Sequence, residues 1–313
     1  MSTTTGVARV ADALGALALR DAPLGARTTY RVGGTAAIFV EARSMADLMA
    51  VAAANKDTAL DVLVLGRGSN VLVADAGFHG IAITLAGAFE SIEVDDGDDG
   101  DDGTVIVRAG GAVALPVLAR RLAEQGLTGL EWAVGVPGSV GGAVRMNAGG
   151  HGDDTASSLR EAEVFSFGEA TTSWRAASAL ALAYRHSNVG SGEVVTAARF
   201  ELRRGDAVAA KRTIADIVRW RREHQPGGSN AGSVFTNPPD DYAGRLVELA
   251  GAKGLRHGTA TVSEKHANFI RADSGGRADD VADLIAEVAA LVKTHTGVTL
   301  STEVVLVGYP GVR

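Results

Sequence analysis

The chain of 313 residues contains no cysteine, which excludes disulfide bonds, thiolate zinc sites and cysteine nucleophiles. It has no apolar run of the ~18–20 residues that a membrane-spanning helix needs. Residues 1–14 lack the charged start and apolar stretch of a secretory signal, so we expect a cytoplasmic protein. Positive charge is not in excess, since the formal net charge is −7, and this argues against nucleic acid or a membrane as partner.

Two common catalytic patterns are absent as well. The histidines are scattered along the chain, and no two of them have the HExxH-type spacing of a metal site. No GxSxG segment occurs, so the nucleophile elbow found in many hydrolases is missing. The sequence therefore predicts no catalytic metal and gives no support to a hydrolase.

The residues that are present predict a globular protein of more than one domain. Hydrophobic residues make up 46% of the chain and charged residues 21%, which is enough to build a sizeable core. The length suits two or three domains, and short strands alternate with helices, as in α/β and α+β folds. The expected segments are 1–80, 81–205, 206–300 and a closing strand at 301–313.

Helix and strand signatures are clear in several places. Ser44 and Asp47 have the spacing of a capping box, which predicts a helix to about Asn55. Further helices are predicted at 114–125 with Gly126 as the stop, 206–223, 241–251 and 277–297. In 206–223 one face carries Ile214, Ile217 and Val218; in 277–297 one face carries Val281, Leu284, Ile285, Val288 and Val292. Strands are predicted at 62–66, 71–74, 104–110, 161–167, 193–202 and 301–308.

The longest charged run is the acidic stretch Asp95–Asp102. It loosely suggests calcium ligands, but the EF-hand spacing and its terminal glutamate are missing. Because it lies between two strand-like pieces, we favour a solvated hairpin loop.

The first glycine-rich turn, Gly66–Asn70, follows a predicted strand directly. Its two glycines permit positive φ and let backbone N–H groups approach a phosphate, while Ser69 and Asn70 add further hydrogen-bonding groups. It is not the Rossmann fingerprint, because another strand follows where a helix should begin. An ordinary tight turn is an equally good interpretation of this segment alone.

The second glycine cluster, Gly135–Gly142, has four glycines and a proline in eight residues. Flanked by apolar sequence, it is hard to explain as a surface loop. It indicates a backbone held close to a flat or anionic ligand, with close packing of chain against chain as the alternative.

Three single residues stand out beside these loops. Arg185 ends an apolar run, where a cation has to meet an anion or reach solvent. Ser233 lies in a turn-rich stretch where serine is common. Glu303 lies in the predicted closing strand, whose two faces are both apolar beyond it, so its carboxylate needs a function or a salt-bridge partner.

Taken in order, seven segments resemble the UDP-N-acetylenolpyruvoylglucosamine reductase family, over about residues 28–308. Each motif is modest alone, but their order is highly specific. The segments are TTYRVGG (28–34), LGRGSNVLV (65–73), GLEWAVGVPGSVGGAVRMNAG (129–149), YRHS (184–187), NAGSVFTNP (230–238), AGAKGLRHGTATVSEKHANFI (250–270) and STEVVLVG (301–308).

The resemblance implies an α+β fold, in which a two-part FAD-binding unit of the vanillyl-alcohol-oxidase (PCMH) type precedes an α/β substrate-binding domain. Residues 1–80 and 81–205 would be the two FAD-binding subdomains, and 206–300 the substrate domain. FAD would be bound non-covalently. The residues implied in FAD binding are Arg31, Gly66, Gly68, Ser69, Asn70, Val71, Gly135, Val136, Pro137, Gly138, Ser139, Gly141, Gly142, Asn147 and Val195.

The resemblance also implies a reaction in which NADPH reduces the flavin and a UDP-sugar then takes the hydride at C3 of its enolpyruvyl group. Arg185 and Glu303 match catalytic residues at the carboxylate end, and Glu303 would need to be protonated or paired with a cation. Ser233 matches the proton donor to C2. Residues that match substrate-side positions are Tyr184, Arg221, Asn237, Lys265 and His266. A monomer is expected.

One departure places the chain in the shorter branch of the family. The stretch after YRHS is only NVGSGEVV, without the tyrosine that closes over the UDP-sugar in the other branch. His224 stands where some members have a lysine against the pyrophosphate. Two alternatives stay open: another FAD-dependent oxidoreductase of the same superfamily, and a non-catalytic protein that binds a flavin or a nucleotide sugar.

Overall fold

The computed structural model describes residues 3–95 and 103–309. The helices in these ranges are α1 (Thr3–Leu14), α2 (Met45–Asn55), α3 (Leu115–Glu124), α4 (Val140–Met146), α5 (Ala207–His224), α6 (Ala243–Leu249) and α7 (Ala278–Thr296). The strands are β1 (Leu19–Pro23), β2 (Thr35–Ala42), β3 (Val62–Val64), β4 (Val71–Val73), β5 (Phe78–Leu85), β6 (Ile92–Asp95), β7 (Thr104–Gly110), β8 (Leu127–Thr128), β9 (Gly149–Gly150), β10 (Asp153–Asp154), β11 (Leu159–Ser166), β12 (Thr171–Ala176), β13 (Glu193–Arg204), β14 (Arg256–His257), β15 (Ala260–Val262), β16 (Ile270–Ala272) and β17 (Val305–Val307).

The helices form largely where capping and periodicity predict them. Ser44 and Asp47 make the reciprocal hydrogen bonds of a capping box at the start of α2. Gly126, with φ of 71°, follows the end of α3 as predicted. The apolar stripe of α7 is buried throughout, and in α5 Ile214 and Ile217 are buried whereas Val218 is 41% exposed.

The strand predictions need one correction and leave one segment open. β6 and β7 pair antiparallel up to Asp95 and Ile106, but the predicted hairpin loop at 96–102 lies outside the described residues. The closing strand predicted at 301–308 is regular only in β17, so Glu303 lies ahead of the strand and not within it. The segment before β17 makes a single bridge, between Thr302 and Phe235, which explains why alternation of residue type overestimated the strand.

The described chain divides into two compact units. The first comprises residues 3–19, 38–67, 80–95 and 103–221, and the second comprises 20–37, 68–79 and 222–309. Each unit is therefore assembled from segments that are far apart in sequence. The predicted domain boundaries at 80, 205 and 300 stay a prediction.

The first unit contains two larger sheets, the two-stranded sheet of β9 and β10, and two apolar cores. Strands β12, β11, β13, β7 and β6 lie side by side in that order, and β8 also pairs with β13. Helix α3 packs into the core of this sheet through Leu115, Leu118 and Leu122. Strands β2, β5 and β3 are neighbours in the other sheet, with β3 parallel to β5, and its core includes residues of α1 and α2.

The second unit is organised around α7. Its core joins the buried stripe of α7 to Tyr30, to Leu72 of β4 and to residues of α6 and β15. Strands β14, β15 and β16 form an antiparallel sheet, and β4 pairs in parallel with β17. Across the part of the chain that the structure describes, no helix combines the length and apolar character needed to cross a membrane.

Candidate active site

The turn at residues 66–70 is shaped by chain packing and leaves backbone donors unused. A Cβ on Gly66 would lie 2.6 Å from the Ser139 hydroxyl, and one on Gly68, whose φ is 62°, would lie 2.6 Å from the Arg27 carbonyl oxygen. Gly68 is therefore required by the chain itself, because it meets backbone atoms at positive φ, whereas the atom beside Gly66 belongs to a rotatable side chain. Among the described residues, the backbone N–H groups of residues 67–70 meet no hydrogen-bond acceptor. These donors remain available to an anionic ligand.

The loop at residues 135–142 is held by backbone hydrogen bonds to residues 111–115. Leu115 donates its N–H to the Gly138 carbonyl at 3.0 Å, and Val140 and Gly141 each donate to this neighbouring segment at 2.9 Å. A Cβ on Gly141 would lie 3.0 Å from the Val195 carbonyl oxygen, so close chain packing accounts for this glycine. A Cβ on Gly135 would likewise crowd the His151 ring at 3.1 Å.

Ser139 begins α4 and connects the two loops. Its hydroxyl accepts a hydrogen bond from the Gly142 N–H at 3.4 Å and lies beside the Cα of Gly66. Within the described ranges, the N–H groups of Gly138 and Ser139 have no acceptor. The N–H groups at 67 and at 138–139 fit a cofactor that carries phosphates, and the absence of cysteine fits non-covalent binding.

The other predicted cofactor residues have varied environments. Arg31 is exposed and has a left-handed backbone with φ of 59°. Val136 donates its N–H to Ala133, Pro137 is exposed, and Val71 pairs with Val305.

Arg185 lies in a tight turn that is tied to the end of α4. Its φ is 54°, and its Nη2 donates to the Gly149 carbonyl at 3.3 Å. The buried Ser187 hydroxyl donates to the Arg145 carbonyl at 2.7 Å. The guanidinium of Arg185 lies 5.1 Å from the ring centroid of Tyr184, which is 56% exposed. The structure thus brings these two predicted residues together and fixes their turn from α4.

Asn147 organises the same region. It ends α4 with a left-handed backbone, φ 40°, and is only 2% exposed. Its amide nitrogen donates to the Asp154 carboxylate and to the Ala183 carbonyl, both at 3.0 Å, and its amide oxygen accepts from the Ala156 N–H at 2.9 Å. Both amide hydrogens of this predicted cofactor residue are therefore used within the protein.

Arg221 belongs to a small cluster that the sequence did not reveal. The ring of His151 lies edge-on to Trp220, with a centroid distance of 5.1 Å, beside Gly135 of the second loop. Burial lowers the pKa of Arg221, and burial together with the positive charge of Arg221 lowers the pKa of His151. A neutral imidazole and a poorly solvated cation both suit a binding surface for an anion. The GGHG context of His151 is the one local signal in the sequence that could have indicated this cluster.

In the second unit, Ser233 and Glu303 are held close through the backbone. Glu303 donates its N–H to the carbonyl of Val234, the residue after Ser233, at 2.7 Å. The bridge between Phe235 and Thr302 continues this antiparallel contact. Ser233 and Glu303 are both half-buried. Two of the three predicted catalytic residues thus lie in two short segments that backbone hydrogen bonds hold side by side.

The predicted substrate residues of the second unit also have defined contacts. The Asn237 amide oxygen accepts the Ala243 N–H at 3.0 Å, at the start of α6. The Lys265 ammonium donates to the Arg222 carbonyl at 2.6 Å. His266 lies edge-on to Phe269 at 4.7 Å, and burial lowers its pKa. Its Nδ1 accepts the Asn268 N–H at 3.3 Å, which requires that nitrogen to be unprotonated.

Two family models match separate parts of the chain. The C-terminal domain of UDP-N-acetylenolpyruvoylglucosamine reductase matches residues 224–307, and an FAD binding domain matches residues 36–171. The chain is 40% identical over 292 residues to UDP-N-acetylenolpyruvoylglucosamine reductase 2 of Symbiobacterium thermophilum, covering 93% of this chain and 92% of that protein. The reductase of Acidiphilium cryptum is also 40% identical over 292 residues, covering 93% and 91%.

A solved structure has the same fold. The crystal structure of the reductase from Thermus caldophilus superimposes with a TM-score of 0.78 at 33% identity, covering 92% of this chain and 98% of that one. The predicted α+β fold, with an FAD-binding unit of the vanillyl-alcohol-oxidase type ahead of a C-terminal domain, is confirmed. By sequence identity, by domain content and by fold, the chain belongs to the UDP-N-acetylenolpyruvoylglucosamine reductase family.

Proposed function

We propose that this chain uses NADPH and bound FAD to reduce UDP-N-acetylglucosamine enolpyruvate to UDP-N-acetylmuramate, in peptidoglycan precursor synthesis. The observation that carries the proposal is the hydrogen bond from the Glu303 N–H to the Val234 carbonyl at 2.7 Å. It holds Glu303 beside Ser233 within the segment that matches the C-terminal domain of the reductase. An acid and a hydroxyl fixed in this way suit the protonation of a developing carbanion.

The reaction adds a hydride to C3 and a proton to C2 of the enolpyruvyl double bond. When bound, FAD supplies the hydride after taking it from NADPH. The chain has to stabilise the negative charge that hydride addition places on the enolpyruvyl carboxylate, and we assign this to the Arg185 guanidinium. The hydrogen bond from Arg185 to the Gly149 carbonyl limits its rotamers, so little reorganisation is needed.

Ser233 and Glu303 complete the chemistry in this proposal. The Ser233 hydroxyl gives its proton to C2, which is strongly basic once the hydride has added. Glu303 acts at the carboxylate end, either protonated or paired with a cation, because an unpaired carboxylate there would repel the developing charge. The proton and the hydride together account for the two hydrogens gained by the sugar. The hydride alone carries the two electrons that NADPH loses.

The binding roles follow the family. We assign FAD to the backbone of the loops at 66–71 and 135–142, together with Arg31, Asn147 and Val195. Tyr184, Arg221, Asn237, Lys265 and His266 are assigned to the UDP-sugar. The partners are then small molecules, and we propose that the chain acts as a cytoplasmic monomer.

An absorption spectrum of the purified protein tests this function. We expect a yellow protein whose flavin bands bleach on adding NADPH and recover on adding UDP-N-acetylglucosamine enolpyruvate. Protein that holds no flavin and takes none up would refute the proposal.

Two other outcomes point to the competing functions. Recovery with a different acceptor, but not with the enolpyruvyl sugar, would indicate another oxidoreductase of the same superfamily. Bleaching that no acceptor reverses would indicate a protein that only binds flavin and nucleotide sugars.

A further inference from the structure

Two hydrogen bonds hold the main chain of Glu303, one at its N–H and one at its carbonyl oxygen. Its N–H donates to the Val234 carbonyl at 2.7 Å, and its carbonyl oxygen accepts from the Asn70 side-chain amide at 2.9 Å. Glu303 lies ahead of β17, so no regular strand pairing orients it. These two contacts help to set the direction in which the side chain of Glu303 leaves the backbone.

Asn70 holds the segment around Glu303 with its main chain as well. The carbonyl oxygen of Asn70 accepts the Val305 N–H at 3.0 Å, so one residue binds two alternate positions of the C-terminal segment. Val304 between them is only 2% exposed. This pair of contacts sets which way the backbone of residues 303–305 faces, and with it the face on which Glu303 emerges.

Asn70 can act as an anchor because its own backbone is rigid. Gly68, two residues before it, has φ of 62° and leaves no room for a Cβ against the Arg27 carbonyl. The Thr29 N–H donates to the Gly68 carbonyl at 3.0 Å, and β4 follows with Leu72 and Val73 fully buried. A stiff turn that ends in a buried strand transmits its position to whatever its side chain holds.

We infer that Asn70 is a positioning residue for Glu303, which its amide orients for reduction of the enolpyruvyl group. The inference rests on the proposed function and adds to it a role for the turn at 66–70 that is separate from flavin binding. The turn would then have two roles, since its backbone would bind the cofactor and its Asn70 amide would orient the acid that acts on the substrate.

The variant Asn70→Asp tests this, because it keeps the size of the side chain and replaces the donating amide by a carboxylate that faces the Glu303 carbonyl oxygen. Stopped-flow measurements should follow the two half-reactions separately, with NADPH and then with UDP-N-acetylglucosamine enolpyruvate. In variant protein saturated with FAD, we expect reoxidation at saturating sugar to slow about 10²-fold, as for misplacement of a catalytic group, while reduction by NADPH slows far less. Equal slowing of both half-reactions in the FAD-saturated variant would overturn the inference in favour of a cofactor-binding role.

A double-variant cycle with Glu303→Gln separates positioning from general damage. If Asn70 acts through Glu303, the double variant should reoxidise no more slowly than Glu303→Gln alone. Effects that multiply would show that Asn70 acts independently of Glu303, and would overturn the inference.

Asn55→Asp is the matched control. Asn55 also donates its side-chain amide to a backbone carbonyl, that of Leu60 at 2.8 Å, in a segment without a proposed role. We expect a lower Tm for this variant with both half-reactions unchanged. Should Asn70→Asp fail to fold, as judged by the Tm of the flavin-free protein, Asn70→Ser takes its place in the same cycle. Failure of the proposed function is distinguishable, since wild-type flavin would then not be reoxidised by the enolpyruvyl sugar at all.

Discussion

Ser233 lies one residue before the carbonyl that receives the Glu303 N–H, and its hydroxyl is half-buried. Replacing it with alanine removes the proposed proton donor without disturbing that backbone contact. We expect Ser233→Ala to be bleached by NADPH at the wild-type rate and to lose about 10²- to 10⁴-fold in reoxidation by the enolpyruvyl sugar. Stopped-flow absorbance measures both steps.

The exposed Ser274, in the same unit, provides the control for this variant. Ser274→Ala should match the wild type in both half-reactions. Equal losses in the two half-reactions of Ser233→Ala would contradict a role confined to proton donation.

His266 makes stability depend on pH in a defined direction. Burial, helped by the positive charge of Lys253, holds its pKa below the ordinary value of 6.5. The folded protein therefore binds this proton less readily than the unfolded chain, so its contribution to stability is present above about pH 6.5 and is lost as the pH falls through that value. We expect His266→Gln to show a smaller loss of unfolding free energy between about pH 7.5 and about pH 5.5 than the wild type.

Urea unfolding at the two pH values measures this, with His79→Gln, on the exposed side of β5, as the control. The control should keep the full wild-type dependence. His151, whose pKa is lowered by burial and by Arg221, should retain part of the dependence in His266→Gln. An unchanged pH dependence in His266→Gln would contradict the assignment.

The sequence could indicate which single residues need a partner or a function, but not which groups they contact. Arg185 and Glu303 could be named because a charge beside apolar residues needs a partner or a function. The amide bond from Asn70 to Glu303 could not, because its partners are 233 residues apart and nothing local encodes it. Asn147 illustrates the same limit, since both of its amide hydrogens bind groups that come later in the chain.

At the level of elements, the capping box of α2 gives a direct test of local stability. The Ser44 hydroxyl accepts the Asp47 N–H at 3.3 Å, and the Asp47 carboxylate accepts the Ser44 N–H at 2.9 Å. Ser44→Ala should lower the free energy of unfolding by about 1 kcal/mol in urea denaturation. Ser173→Ala, at an exposed position of β12, should change it by less than about 0.5 kcal/mol. Equal effects of the two variants would mean that the box contributes nothing to stability.

Elements with strong periodicity were predicted better than short strands. Apolar residues recur at helical spacing over most of α7, and a repeat of this length predicts a helix with one buried face. Residue types also alternate along the segment at 301–308. Within it, only β17 forms a regular strand, and β17 pairs in parallel with β4. Whether a strand continues depends on its neighbour, and that neighbour lies in a distant part of the chain.

At the level of the whole molecule, the two compact units predict how damage to a core should spread. Leu284 of α7 and Leu118 of α3 are both fully buried, in the second and first unit respectively. Each change to alanine should cost about 2–5 kcal/mol. Hydrogen exchange should then rise in Leu284→Ala at residues 20–37 and 68–79 as well as at 222–309, because these segments share one core.

Leu118→Ala should leave those segments protected and raise exchange in the first unit instead. An increase in Leu284→Ala that is confined to 222–309 would show that the early segments are not part of the second unit.

The order of the motifs predicted the fold class, because seven short segments in one order are matched by few families. The discontinuity of the second unit did not follow from it. Tyr30 and Leu72 lie within the first 80 residues but pack against α7, and hydrophobic residues do not reveal which core they enter.

The parallel pairing of β4 with β17 has a consequence for synthesis of the protein. The turn at 66–70 and β4 leave the ribosome long before their partner, since 233 residues separate Asn70 from Glu303. At ordinary elongation rates that interval is on the order of 10–50 s. During it, the apolar Leu72 and Val73 have no β17 to pair with, and chaperones have time to bind them. The second unit can therefore close only after residues 303–307 have been synthesised.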